Sequence, residues 1–269
     1  CLKAFGALMA GVAVAAMPLF ASGPQAQEVV TDEMLRSAAG DPNNWLMAPG
    51  NYTGNRYSTL GQINTGNVGE LVPKWIFSLG TLDAQNTTPV VHNGVMYATA
   101  SHGHTYALDA ENGTEIWRYA HQMPEGVAGK MCCDIGNRGV ALYGDKVFVA
   151  TPDSHVVALN KGTGEVVWDV TIGDWEKAIT MTVAPLVVKG NVVVGMSGAE
   201  YPTRLYIEAL DSETGAQAWR TYTIPGPGEP GHETWGSTDA AMHGGASTWL
   251  TGSYDPELDL LYWGVGNPN

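Results

Sequence analysis

An all-β fold, a β-propeller, is what this sequence predicts, and three observations predict it. The first is a repeat: YALDAENGTEIW (106–117), VALNKGTGEVVW (157–168) and EALDSETGAQAW (208–219) share Ala-Leu-Asp/Asn, a short spacer, Gly and a closing Trp. Trp117, Trp168 and Trp219 are each 51 residues apart, and a sustained period near 50 marks a repeat architecture. The second is hairpin chemistry inside each unit. Asn93-Gly94 sits between apolar runs, the strongest short hairpin signal, and turns are expected at Gly144-Asp145 and Gly190-Asn191. The third is the chain between turns, short and β-branched. It argues against stacked helical hairpins, the main alternative at this period.

Each unit reads as two hairpins, four short antiparallel strands ending on Trp, which is the make-up of a propeller blade. The Asp/Asn of the repeat can bond its local backbone, and the Gly can take φ > 0, so the segment between them is a turn. Along the chain, VPKWIFSLG is expected to end an early strand at Trp75. Units follow at 76–117, 118–168 and 169–219, and a fourth begins at 247. Three to four blades leave open edges. A closed four-bladed ring is one solution. The absent initiator Met and the stop at Asn269 point instead to a fragment of a larger propeller.

Residues 1–23, CLKAFGALMAGVAVAAMPLFASG, carry one Lys, then an uncharged run, then small residues. That pattern reads as a secretory signal peptide whose start is missing; a membrane anchor is the alternative. Residues 24–269 then form the propeller. The net charge is −14, which argues against nucleic acid or an anionic membrane as partner and would suit a basic protein. Only 15% of residues are charged, and no linker or low-complexity stretch divides the chain.

Loss of the signal removes Cys1 and leaves the adjacent pair Cys132 and Cys133, within MCCDIGNRG. An oxidising compartment favours a disulfide between them. Such a bridge closes no loop, so it removes little unfolded-state entropy. Its use would be a stiff, polarisable sulfur platform against a flat ligand. Two buried free cysteines are the other reading of the doublet. The motif leads into the hairpin at 140–151. SGAE (197–200) follows the hairpin strand of the next unit, and GNPN (266–269) follows that of the one after. Propeller strand ends of this kind converge around the axis, where polar groups facing a cavity make a binding site.

MCCDIGNRG, APLVVKGNVVVGMSGAE, GPGEPGHETW, HGGASTW, LYWGVGNP and the earlier NRYSTLGQINTGNVGELVPKW resemble the periplasmic quinoprotein alcohol dehydrogenases, the methanol/ethanol family. The similarity runs from about Asp41 to Asn269. The resemblance implies an eight-bladed propeller with tryptophan-docking repeats, of which this chain is the N-terminal half. It implies pyrroloquinoline quinone (PQQ) and a Ca²⁺ or lanthanide ion near the axis. Cys132 and Cys133 match the disulfide on one face of PQQ, and Trp249 the tryptophan under the other. Both contacts make physical sense, since aromatic rings stack and sulfur is polarisable. Arg138 matches an arginine near the reactive quinone oxygens. Thr182, Ser197 and Ser247 match cofactor-contacting hydroxyls, beside the Gly198–Ala199 backbone. Glu200 and Asn267 match metal ligands, the hard oxygen donors such a cation takes.

The resemblance further implies oxidation of a small primary alcohol, with hydride passing to the quinone and electrons to a c-type cytochrome, in the periplasm; a homodimer is left open. The family's catalytic Asp lies beyond Asn269, so no catalytic residue is named. Asn86 stands where the family usually carries a Glu, which alters one polar cofactor contact. A non-catalytic propeller scaffold explains the Trp repeats equally well but not the doublet, Arg138, Glu200 and Trp249 together. A quinoprotein sugar dehydrogenase fits the CCD and GPGEPGHETW stretches less well. The seven histidines show no zinc-ligand spacing. His102 and His104 are expected to alternate on a strand.

Overall fold

The structure, a computed structural model, describes residues 28–268; the predicted signal segment lies outside them. Three four-stranded antiparallel sheets follow one another, each a simple up-and-down meander. The first holds β1 (Val90–His92), β2 (Val95–Thr99), β3 (Thr105–Asp109) and β4 (Glu115–Tyr119). The second holds β5 (Val140–Tyr143), β6 (Lys146–Ala150), β7 (His155–Asn160) and β8 (Val166–Thr171). The third holds β9 (Leu186–Val188), β10 (Asn191–Gly195), β11 (Tyr206–Asp211) and β12 (Gln217–Tyr222). A hairpin of β13 (Ser253–Asp255) and β14 (Leu260–Tyr262) opens a fourth. Among the described residues no helix is long and apolar enough to cross a membrane.

The repeat motif is the joint between sheets. In each sheet the Asp or Asn caps its own turn: Asp109, Asn160 and Asp211 each accept two backbone N–H bonds through the side chain. The turn glycines Gly113, Gly164 and Gly215 all have φ of 72–76°. Each one faces the tryptophan of the preceding unit, Trp75, Trp117 and Trp168 in turn. The indole Nε1–H of that tryptophan donates to a carbonyl of the same turn region: Trp75 to Ala110, Trp117 to Lys161 and Trp168 to Ser212. A bulge recurs at the Ala-Leu step of the third strand in all three sheets. It leaves one unpaired residue just before each Trp, and such a bulge re-aims the side chains beside it.

The second sheet stands between two others, so its inner strands have no solvent face. Every residue of β6 is buried, and so are Val156–Leu159 of β7. Its outer strand β8 returns to solvent. Ahead of the sheets, the segment 45–54 runs across successive inner strands. Trp45 pairs with Val91 of β1, Met47 pairs with Ala141 of β5, the Tyr52 hydroxyl donates to Val187 O of β9, and Tyr52 O accepts from Tyr254 N of β13.

Three expectations are corrected. The third hairpin turns on Lys189-Gly190, both at positive φ, with Asn191 already paired to Val188. His102 and His104 do not share a strand; His102 lies in a 3₁₀ turn, Ser101–Gly103, at φ 66°. Residues 72–79 form no strand among the described residues, although Trp75 docks as the other tryptophans do.

Candidate functional site: a ring of loops carrying the vicinal disulfide

The loops that lead into the inner strands lie side by side and are stitched together by their backbones. Thr88 N–H donates to Arg138 O, and Arg138 N–H donates to Thr182 O. Thr180 exchanges both backbone bonds with Ser197. Farther round, Gly245 N–H donates to Thr203 O, and Ala246 N–H donates to Asn267 O. Stretches that the sequence spaces tens of residues apart thus form one surface.

Cys132 and Cys133 are disulfide-bonded, with Cα atoms 3.8 Å apart. Both are exposed, which removes the reading of two buried free thiols. Met131 and Ile135, on either side, are buried in a small cluster with Val127. The sulfurs therefore stand out as a ridge between two apolar anchors.

Arg138 is half-buried. Its Nη1 donates to Thr182 O at 3.1 Å, and its guanidinium lies 4.6 Å from the centre of the Trp249 ring. Arg118, Arg204 and Arg220 are each paired with a glutamate; no ion pair among the described residues includes Arg138. Burial lowers its pKa from the usual value, yet a guanidinium stays charged in proteins. The result is a fixed cation with unspent donors beside the ridge. Asn137, which is 1% exposed, holds this loop in place: its amide donates to Ala150 O and accepts from Gly139 N–H.

The Thr182 and Ser197 hydroxyls are 3.0 Å apart on the same rim. Gly198 (φ 119°) lies so close to the Ala178 carbonyl that any Cβ would collide with it, so this SGAE turn requires glycine. Ala199 is buried beside it. Trp249 is 39% exposed and so is a ring presented rather than a core residue. Ser247 is placed differently: it is buried, and its Oγ faces Gly266.

Glu200 and Asn267 are both exposed. Among the described residues the Glu200 carboxylate has no hydrogen-bond or ion-pair partner, and no group of three His, Cys, Asp or Glu side chains is arranged to hold a metal. The Asn267 amide nitrogen donates to Pro268 O, which leaves Oδ1 as the atom for a cation. One carboxylate and one amide oxygen fit a hard cation that draws its remaining oxygens from a bound ligand. The unpaired cation of Arg138, the hydroxyl rim and the exposed ring and sulfurs fit a flat ligand bearing carboxylates and carbonyls.

Sequence reasoning missed Asn137 and the role of segment 81–88. Asn86 was singled out for its departure from a family pattern; its Oδ1 packs directly on Gly136 of the disulfide loop.

Residues 45–269 match the PQQ family described as the glucose/ethanol/alcohol dehydrogenase β-propeller domain. The chain belongs to this PQQ propeller family. It is 43% identical over 242 residues to the quinohemoprotein alcohol dehydrogenase ADH-IIG of Pseudomonas putida, covering 86% of this chain and 34% of that protein. It is 39% identical over 234 residues to the quinoprotein alcohol dehydrogenase PedH of P. putida, covering 80% of this chain and 39% of that protein. The solved structure of a europium-containing methanol dehydrogenase superposes with a TM-score of 0.84 at 36% identity, covering 88% of this chain and 45% of that one. The chain thus spans between about a third and just under half the length of these relatives.

Proposed function

We propose that this chain supplies the disulfide-bearing part of a PQQ-dependent alcohol dehydrogenase that oxidises small primary alcohols in the periplasm and passes electrons to a c-type cytochrome. The observation that carries this is the exposed Cys132–Cys133 ridge beside Arg138, whose guanidinium has an indole face and a carbonyl in place of a carboxylate. PQQ, when bound, supplies the two-electron acceptor for alcohol oxidation.

The chain's own residues bind and orient. Arg138 offers a permanent positive charge to anionic ligand oxygens, and it is held at a fixed position by Thr182 O and by Asn137 beneath. Thr182 and Ser197 offer hydroxyls along the rim. The sulfur ridge and Trp249 present polarisable and aromatic surface to a flat ring. Glu200 and Asn267 would hold Ca²⁺ or a lanthanide ion against the ligand. We assign no general base to these residues.

The test is a titration of the intact cofactor-free protein with PQQ, with Ca²⁺ or La³⁺ present, followed by dye-linked oxidation of ethanol. Stoichiometric PQQ binding and metal-dependent turnover are expected. Failure to bind PQQ under either metal would overturn the reading.

A further inference from the structure

The disulfide loop is tied to a neighbouring segment in a regular way. Residues 84, 86 and 88 lie against residues 134, 136 and 138, alternate residue to alternate residue. Ala84 N–H donates to Asp134 Oδ2 at 2.9 Å, Asn86 Oδ1 packs on Gly136, and Thr88 N–H donates to Arg138 O at 3.0 Å. This strap is itself fastened to the first sheet. The Asp83 carboxylate accepts from Thr81 Oγ1 at 2.7 Å and Ser101 Oγ at 3.3 Å, and it lies 3.0 Å from His102 Nε2. Thr87 Oγ1 accepts from Thr99 N–H and bonds its hydroxyl.

Asp134 directly follows Cys133 and has φ +80°, a conformation that costs most residues about 1 kcal/mol or more and that Asp tolerates through local side-chain bonding. Its other oxygen accepts from Ile135 N–H at 2.8 Å. One carboxylate thus holds the unusual backbone turn and the link to the strap at once.

We propose that Asp134 is a positioning residue that sets the orientation of the Cys132–Cys133 ridge through its tie to the strap at Ala84. Its purpose rests on the reading of the ridge as the cofactor's platform; the tie itself does not. Asp134→Gly keeps the positive φ without strain and removes both bonds. Asp134→Asn keeps αL tolerance but has one acceptor oxygen, so it loses the charge and one of the two bonds.

The experiment uses intact cofactor-free protein, with circular dichroism to establish that each variant is folded. The rate of disulfide reduction by dithiothreitol is read by trapping thiols, and PQQ affinity by titration. For Asp134→Gly we expect reduction about fivefold or more faster, because a released ridge is more open to attack. PQQ affinity should fall about tenfold, the effect of one charge-assisted hydrogen bond. Asp134→Asn, which can keep only one of the two bonds, should fall between wild type and Asp134→Gly in both. Wild-type reduction of Asp134→Gly would overturn the inference. Equal acceleration by Asn and Gly would also overturn it, since the bond that Asn keeps would then count for nothing and the lost charge alone would set the rate. Expected reduction rates with no PQQ binding by the wild type would leave the positioning role standing and overturn the functional reading instead.

Discussion

Adding one methyl group at Gly164 should destabilise the protein more than adding it at Gly94, and the difference measures tryptophan docking. Both glycines have φ +75°, so alanine at either pays the same left-handed backbone cost, about 1–2 kcal/mol. Their surroundings differ. A Cβ at Gly94 meets nothing within 4 Å, whereas at Gly164 it would stand 2.6 Å from Trp117 Cε3. That ring cannot back away cheaply, because it is 7% exposed and its Nε1 donates to Lys161 O at 3.0 Å. Overpacking of this kind costs about 1–3 kcal/mol. Gly94→Ala should therefore lose about 1–2 kcal/mol and Gly164→Ala about 2–5 kcal/mol. Thermal unfolding of the two variants of the intact protein, followed by circular dichroism, reads the gap at about 2–4 °C per kcal/mol for a unit of this size. Equal melting temperatures would show that the indole–glycine contact does not hold the sheets together, and the account of the repeat would fail.

Glu200→Gln keeps the size of the carboxylate proposed as a metal ligand and removes its charge; elemental analysis should show metal lost from a folded protein, with Asn267→Ala losing less. Retention of stoichiometric metal by Glu200→Gln would refute the ligand assignment. Unreduced native protein should yield a Cys132–Cys133 peptide two hydrogens lighter than the dithiol by mass spectrometry, with no alkylatable thiol. His92 is 2% exposed, and burial, followed by the charge of Lys161, lowers its pKa below 6.5. The folded state therefore binds fewer protons than the unfolded one below about pH 6.5, so His92 makes stability fall as pH drops through that value. His92→Gln, which can still accept from Lys161, should flatten the loss of melting temperature between about pH 7 and 5; an unchanged slope would refute it.

The parts of the fold that were legible in the sequence are those in which one interaction is repeated. The Asp/Asn cap, the turn glycine and the tryptophan recur at one spacing, because each sheet meets the next through the same contact. The errors came where a distant contact overrode a local signal. The sequence favours a turn at Gly190-Asn191, yet the chain turns at Lys189-Gly190. That register leaves Lys189 exposed at the turn rather than in the ladder opposite Val192, which is fully buried. His102 and His104 alternate as strand residues would, but Asp83 lies beside His102 Nε2 and holds it in a tight turn. Trp75 announced a strand, and only its docking was found. At the site, the motif residues were readable because their types are unusual together. Asn137 and the strap were not, since an Asn or an Ala in a loop carries no signal until its partner is known.

The placement of Trp249 shows how an insertion can serve a repeat. The links from β4 to β5 and from β8 to β9 are shorter than the link from β12 to β13, which is lengthened by a segment holding a short helix, Thr238–Met242. A longer link would ordinarily loosen the chain's hold on the next sheet. Here both ends of the segment are fixed to the third sheet's own loop. Arg204 Nε donates to Ile224 O at the near end, and its Nη2 donates to Glu229. At the far end Gly245 N–H donates to Thr203 O. Thr248 then locks onto Met196, the residue after β10, its N–H donating to Met196 O and its Oγ1 accepting from Met196 N–H. Trp249 is the next residue. With its neighbour buried and bonded on both sides, the indole is left partly exposed beside these loops. There it meets Arg138 from two sheets earlier. The insertion leaves the docking period of the preceding sheets unchanged and lets a residue outside that period reach the site. A motif scan tuned to the period would pass over Trp249, because the tie that aims it is a buried threonine and not a repeat position.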